Sequence, residues 1–211
     1  MKTWLLCDDY YHPGEIPHQG LQALSEIGIQ LDVTPDARDF SFARLAEYPV
    51  VVLAKGDSVS ARIREPWETP EVEEAFVNYV EAGGGLLVIH SGTTGKTGAD
   101  RLHALMGCRF NSHPEQCPVT VTPLKQHPIT EGVQPFTQQD EHYFIDLYAR
   151  DADILAVSSS VHGVTVSGYV RTQGKGRVCV LTPGHNLAVW QDMEYRKMLC
   201  NALRFCAGTQ A

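Results

Sequence analysis

Pro49-Val50-Val51-Val52-Leu53-Ala54 is an unbroken apolar run, largely β-branched, with no polar residue between its ends. A strand with one wet face alternates apolar and polar residues. A strand that is apolar at every position is covered on both faces, as in the middle of a parallel sheet. Upstream, Trp4-Leu5-Leu6-Cys7 is a second short apolar run, stopped by Asp8 and Asp9. Leu21, Leu24 and Ile27 then recur at helical spacing, Gly28 closes that helix, and residues 29–33 give another strand. Downstream, Thr69-Pro70 reads as an N-cap with proline at the first helical position, and Val72, Phe76, Val77 and Val80 form one apolar face. Gly83-Gly84-Gly85 turns the chain into Leu86-Leu87-Val88-Ile89, a further buried strand. Strands alternating with helices predict an α/β fold, a three-layer sandwich around a mostly parallel central sheet.

Beyond His90 the pattern loosens. Leu102, Leu105 and Met106 predict a short helix, but residues 107–150 hold several prolines and one clear strand, Val119-Thr120-Val121. This stretch is expected to be a loop-rich, cap-like insertion beside the sheet. Ile154-Leu155-Ala156-Val157 and residues 164–170 read as antiparallel strands, and Gly174-Lys175-Gly176 turns into the buried strand Arg177-Val178-Cys179-Val180-Leu181. Tyr195, Leu199, Ala202, Leu203 and Cys206 form the inner face of a closing helix. The expectation is one domain over residues 1–211.

A formal charge of −8 gives no basic footprint for a phosphate backbone, so nucleic acid is not an expected partner. The first apolar run stops after four residues, too short for a signal peptide or a membrane span, which makes the cytoplasm the expected compartment with no membrane partner. The six cysteines show no CxxC spacing and read as buried thiols.

In open parallel sheets, ligands bind beyond the carboxyl ends of the strands. Asp8, Asp9 and His12 follow the first strand, His90 and Ser91 follow the fourth, and Gly184-His185-Asn186 follows the last. The irregular segment adds His113-Pro114-Glu115 and Asp140-Glu141-His142-Tyr143. Imidazoles and carboxylates offer lone pairs near neutral pH, which suits proton transfer and permits a divalent metal such as zinc, although no HExxH spacing is present. Thr93-Thr94-Gly95-Lys96 could cradle an anion but is not a Walker loop, so no nucleotide is expected. Ser91 lacks the glycine two residues earlier that a nucleophile elbow needs. His90 stands directly after Ile89 instead, suited to moving a proton or binding a ligand. Trp67 and Trp190 are candidates for the rim of a ligand pocket.

Taken together, Asp8-Asp9-Tyr10-Tyr11-His12, Phe76-Val77-Asn78-Tyr79-Val80-Glu81-Ala82-Gly83-Gly84-Gly85, His90-Ser91-Gly92, Phe110-Asn111-Ser112-His113-Pro114, His127-Pro128-Ile129-Thr130-Glu131-Gly132, Asp140-Glu141-His142-Tyr143, Gly174-Lys175-Gly176-Arg177-Val178 and Gly184-His185 resemble the trehalose-utilisation, ThuA-like, family over nearly the whole chain. The resemblance implies a flavodoxin-like sheet within the class I glutamine amidotransferase-like superfamily, and a place in carbohydrate metabolism beside sugar dehydrogenases that make 3-keto glycosides. True amidotransferases carry a cysteine at the elbow, where this chain has His90. The leading expectation is therefore an enzyme acting on a sugar or keto-sugar by isomerisation, hydration or lyase-type cleavage. The alternatives are an amidotransferase-like amidohydrolase and a non-catalytic carbohydrate-binding or regulatory domain. On the leading reading His90, His12 and Glu141 move protons, and His113, Glu141 and His185 hold a zinc-like ion. Asp8, Asp9, Ser91, Asp140, Tyr143 and Trp190 contact a small-molecule carbohydrate. Folds of this kind often pair through helices, which permits a homodimer.

Overall fold

The computed structural model describes residues 1–25, 28–95 and 98–209. Ile27 and Lys96 lie outside the described residues. The strands are β1 (Lys2–Cys7), β2 (Gln30–Thr34), β3 (Val50–Ala54), β4 (Gly85–Ile89), β5 (Cys108–Ser112), β6 (Cys117–Pro123), β7 (Phe136–Asp140), β8 (Phe144–Leu147), β9 (Asp153–Ser160), β10 (Gly163–Gln173) and β11 (Gly176–Leu181). The helices are α1 (Glu15–Gln22), α2 (Phe42–Leu45), α3 (Pro70–Glu81), α4 (Asp100–Met106), α5 (Leu187–Gln191) and α6 (Met193–Cys206).

Nine strands form one sheet in the order β2-β1-β3-β4-β11-β10-β9-β6-β7, and β5 pairs with β8 apart from it. From β2 to β11 every pairing is parallel. From β11 to β7 every pairing is antiparallel. Following those senses across the sheet, only β10 and β6 oppose the rest, so the sheet is mostly parallel. It also follows that β7 runs with β4 and β11 and carries its last residue toward the same edge.

Alternation along each strand divides the core in two. Leu5, Val50, Val52, Leu87, Ile89, Cys179 and Leu181 join α1, α5 and α6 on one face. Leu6, Val51, Leu53, Leu86, Val88, Val178 and Val180 join α2, α3 and α4 on the other. All five residues of β3 are buried, and each such Val or Leu contributes about 1.5–3 kcal/mol relative to exposure. Two buried faces explain the unbroken apolar run, and they make three layers. Thr69 caps α3 as its sequence predicts, accepting a hydrogen bond from the Val72 N–H with Pro70 at the first position.

The structure departs from expectation in three places. Residues 107–150 keep long loops but carry β5, β6, β7 and β8, where the sequence offered one strand. The β7 stretch, Phe136-Thr137-Gln138-Gln139-Asp140, has a single apolar side chain, so it gives no period-2 signal. Helix α1 stops at Gln22. Leu24 is buried beyond its end, and Gly28, at φ +82°, turns the chain toward β2. The short helices α2 and α5 have too few turns to show a helical period.

Candidate functional site

Among the described residues, two that are not glycine have positive φ: Asp8 at +74° and His90 at +46°. Each directly follows a central parallel strand, β1 and β4. For a residue with a Cβ this backbone costs about 1–2 kcal/mol, and strain of that kind concentrates at functional sites. The turn after β4 is also tight, because a Cβ on Gly92 would lie 2.2 Å from the Leu53 carbonyl oxygen.

Three carboxylates fasten the loops above this edge. Asp8 accepts from the Gly14 and Ala61 N–H groups. Asp9 accepts from the N–H groups of Tyr11, His12 and Gly56. Asp140, at the end of β7, accepts from Gly184, His185 and Asn186. Burial pushes the Asp140 carboxyl up from its ordinary value, against the pull of His90 and those N–H groups. Burial acts on Asp9 in the same sense, but the His12 imidazole and the surrounding N–H groups hold it below the usual carboxylate range.

With the loops fixed, four histidines surround one carboxylate oxygen. Glu141 Oε2 lies 3.1 Å from His185 Nδ1, 3.4 Å from His90 Nε2, 3.8 Å from His113 Nε2 and 4.0 Å from His12 Nε2. The far nitrogens of three rings set their tautomers. His90 Nδ1 is 2.8 Å from the Thr182 carbonyl and His113 Nδ1 is 2.8 Å from the Pro114 carbonyl; both oxygens only accept, so both nitrogens carry the proton. His12 Nδ1 donates to the Asp9 carboxylate at 2.8 Å. All three Nε2 atoms therefore present lone pairs toward Glu141. That of His12 accepts from the Tyr143 hydroxyl at 3.1 Å, and the Tyr143 ring stacks on His90 with centroids 3.8 Å apart.

Three atoms of this cluster are buried and have no hydrogen-bond partner: His90 Nε2, Glu141 Oε2 and His185 Nδ1. Leaving a buried polar atom unsatisfied costs about 1–3 kcal/mol, and here three lie side by side. His12, His90, Glu141 and His185 each offer a ligand atom within 4.8 Å of the others. Two imidazole nitrogens and one carboxylate oxygen form a donor set that zinc accepts with a position left open. The bonds from His90 to Thr182 and from His12 to Asp9 are the outer contacts that orient such ligands. Burial lowers the His90 pKa, and Glu141 raises that of His185. Burial disfavours the Glu141 charge, yet His185 and His90 hold it well below the usual carboxylate range.

His12, His113, Glu141, Tyr143 and His185 line a cavity of about 660 Å³, and His90 is buried outside that lining. The structure thus brings together His12, His90, His113, Glu141, His185 and Tyr143. Other expected contacts differ. Asp8 and Asp140 do not line the cavity, because their carboxylates hold backbone. Ser91 is buried and does not line it either. Trp190 is not a rim residue: it is 1% exposed, packs against Gly20 and donates its indole N–H to the Gly184 carbonyl. Trp67 is likewise buried and donates to the Gly56 carbonyl. The six cysteines stand away from the cavity, and burial pushes the Cys7 thiol up to about 12. Tyr10, Tyr11, Ser58, Arg64 and Phe110 also line the cavity. Sequence reasoning passed over them, although the loop after β3 obeys the same strand-end rule as the others.

A family model described as ThuA, trehalose utilisation, matches residues 11–206. A ThuA-like protein of Parabacteroides merdae has a TM-score of 0.80 at 18% identity, over 100% of this chain and 91% of that one. A ThuA-like protein of Bacteroides uniformis has a TM-score of 0.76 at 20% identity, over 98% of this chain and 91% of that one. The β-galactosidase of Rahnella sp. R3 has a TM-score of 0.67 at 16% identity, over 96% of this chain but only 30% of its own. At such identities the likeness is one of fold. No curated protein matches the chain.

Proposed function

The chain belongs to the ThuA family, described as trehalose utilisation, and from that premise we propose an enzyme that acts on a sugar or keto-sugar by metal-assisted acid–base chemistry. The supporting observation is the trio of buried, unpartnered atoms, His90 Nε2, Glu141 Oε2 and His185 Nδ1, in a cluster whose Glu141 and His185 line an open cavity. These three are the ligands of a zinc-like ion in this reading. His113, exposed at the cavity wall with its Nε2 3.8 Å from Glu141 Oε2, stands at the open side. When bound, the ion supplies Lewis acidity toward a carbonyl or hydroxyl oxygen of the sugar.

His12 moves the proton. Its Nε2 already has a protein partner, the Tyr143 hydroxyl, and its Nδ1–H is held by Asp9, which fixes the tautomer. A base so placed takes a proton from carbon or oxygen beside a carbonyl and returns it to a neighbouring atom, the common step of isomerisation, hydration and lyase-type cleavage. Glutamine hydrolysis has less support, since His90 occupies the elbow where an acyl nucleophile is needed.

The test is elemental analysis of undepleted protein joined to turnover of 3-keto-glucosides with and without chelator. About one divalent ion per chain, and activity lost in chelator and restored by metal, is expected. Metal-free protein that is fully active in chelator overturns the reading.

A further inference from the structure

We propose that Arg64 recognises an anionic group, carboxylate or phosphate, on the substrate, so that the preferred sugar is an acidic one. The inference rests on the sugar reading above and narrows it.

Arg64 lies on the loop between β3 and α3, and that loop is held at several points. Gly56 N–H donates to Asp9 at 2.8 Å and Ala61 N–H to Asp8 at 2.9 Å. Ser60 and Ile63 exchange backbone hydrogen bonds, and Val59 N–H donates to the Glu65 carbonyl, so Arg64 sits between two bonded neighbours. Lys55, fully buried, donates to the Val59 carbonyl at 2.8 Å. The Ser58 hydroxyl accepts from the Tyr10 N–H, joining this loop to the one after β1.

The guanidinium carbon sits 3.4 Å from the centroid of the Tyr10 ring. Stacking uses the face of the guanidinium and leaves its N–H edge, the part that binds carboxylate or phosphate in a bidentate manner. Arg64 makes no ion pair or hydrogen bond among the described residues. Of the carboxylates in the cavity wall, Asp9 is held by His12 and backbone, Asp57 by the N–H groups of Trp67 and Glu68, and Glu141 faces His185 and His90. Arg64 is thus a cation without a counter-charge, held on a fastened loop, in the wall of the cavity that contains the His/Glu cluster. A planar donor on an aromatic platform at that place fits a sugar whose acidic substituent reaches the cavity mouth.

Calorimetric titration with glucose, glucuronate and glucose 6-phosphate tests this on the wild type and on Arg64→Met and Arg64→Lys. One or both acidic sugars should bind about tenfold or more tighter than glucose, as a charge-assisted contact provides. That advantage should vanish in Arg64→Met, return in part in Arg64→Lys and shrink with added salt. Preference for glucuronate alone assigns a carboxylate, and for glucose 6-phosphate alone a phosphate. Glucose binding as tightly as both, or a preference that survives Arg64→Met, overturns the proposal while leaving the sugar reading in place. No binding of any of the three overturns the sugar reading itself.

Discussion

His90 Nε2 and Glu141 Oε2 face each other at 3.4 Å, both buried and neither hydrogen-bonded. The proton that would join them is committed elsewhere, since His90 spends its one N–H on the Thr182 carbonyl. Two lone pairs so placed repel unless a cation lies between them. His185→Ala, His90→Ala and Glu141→Gln should therefore each abolish stoichiometric metal by elemental analysis. His113→Ala, at the exposed side, should retain it. The same ion should raise Tm in wild-type protein, by about 2.7 kcal/mol of stability at a hundredfold excess over Kd, and should give no increment in Glu141→Gln. Equal retention in all four variants contradicts the assignment.

Asp140 was legible in the sequence as a polar residue of the irregular segment and a candidate carbohydrate contact, but not its task. It accepts three N–H groups from the turn that carries His185. Asp140→Ala leaves those donors buried without a partner, so urea unfolding should report a loss of about 1–3 kcal/mol. Asp140→Asn, which keeps one carbonyl acceptor, should lose less. A loss within 0.3 kcal/mol, roughly the noise of additivity, would show that the turn holds itself.

How far the sequence speaks differs between the two halves of the sheet. Continuous apolar runs such as Val50–Ala54 announce burial on both faces, and Thr69-Pro70 announces the start of α3. The last strand in the sheet order, β7, pairs by backbone bonds with a single apolar side chain, and backbone pairing leaves little trace in residue type. The site follows the same division. His12, His90 and His185 lie at the ends of predicted strands, so the edge rule finds them. Glu141 arrives because β7 runs in the sense of β4, a fact set by the four successive antiparallel pairings that lead from β11 to β7. Trp190 misled because a tryptophan near a sugar site and one filling the space above Gly20 are the same letter.

Gly92 ties the turn at His90 to β3. A methyl group there would come within 2.2 Å of the Leu53 carbonyl and 2.9 Å of Val88 Cγ1. Neither a strand backbone nor a buried valine gives way cheaply, so Gly92→Ala should cost about 1–3 kcal/mol. It should also weaken metal binding, because His90 moves with the turn. Unchanged Tm together with unchanged metal content would argue that the turn relaxes freely.

Asp9 gives the stability a pH dependence of definite sign. Its folded pKa is held below the ordinary carboxylate value, so in the acid range the unfolded chain takes up a proton before the native one does. The contribution is complete above the unfolded value, about 3.9, and is lost as pH falls through the lower folded value. Urea unfolding from pH 6 down to pH 3 should show a decline that is shallower in Asp9→Asn, which has no carboxylate to protonate. Parallel declines in the two proteins would assign the acid limb to other groups.

Tyr143 separates the two tasks assigned to the histidines. Its ring stacks on His90, while its hydroxyl occupies His12 Nε2. Tyr143→Phe keeps the stack and frees that nitrogen. If His12 were a resident ligand, its lone pair would not be available to the hydroxyl, and the substitution would strengthen or leave untouched both metal binding and turnover. If His12 moves the proton with the hydroxyl placing it, metal content should stay at the wild-type level while turnover of the accepted keto-sugar falls about 10²-fold, the usual range for general acid–base catalysis. His12→Ala should then lose turnover at least as severely and still hold metal through His90, Glu141 and His185. Loss of metal in His12→Ala would place that residue among the ligands and return the proton to His113, the remaining imidazole in the cavity wall.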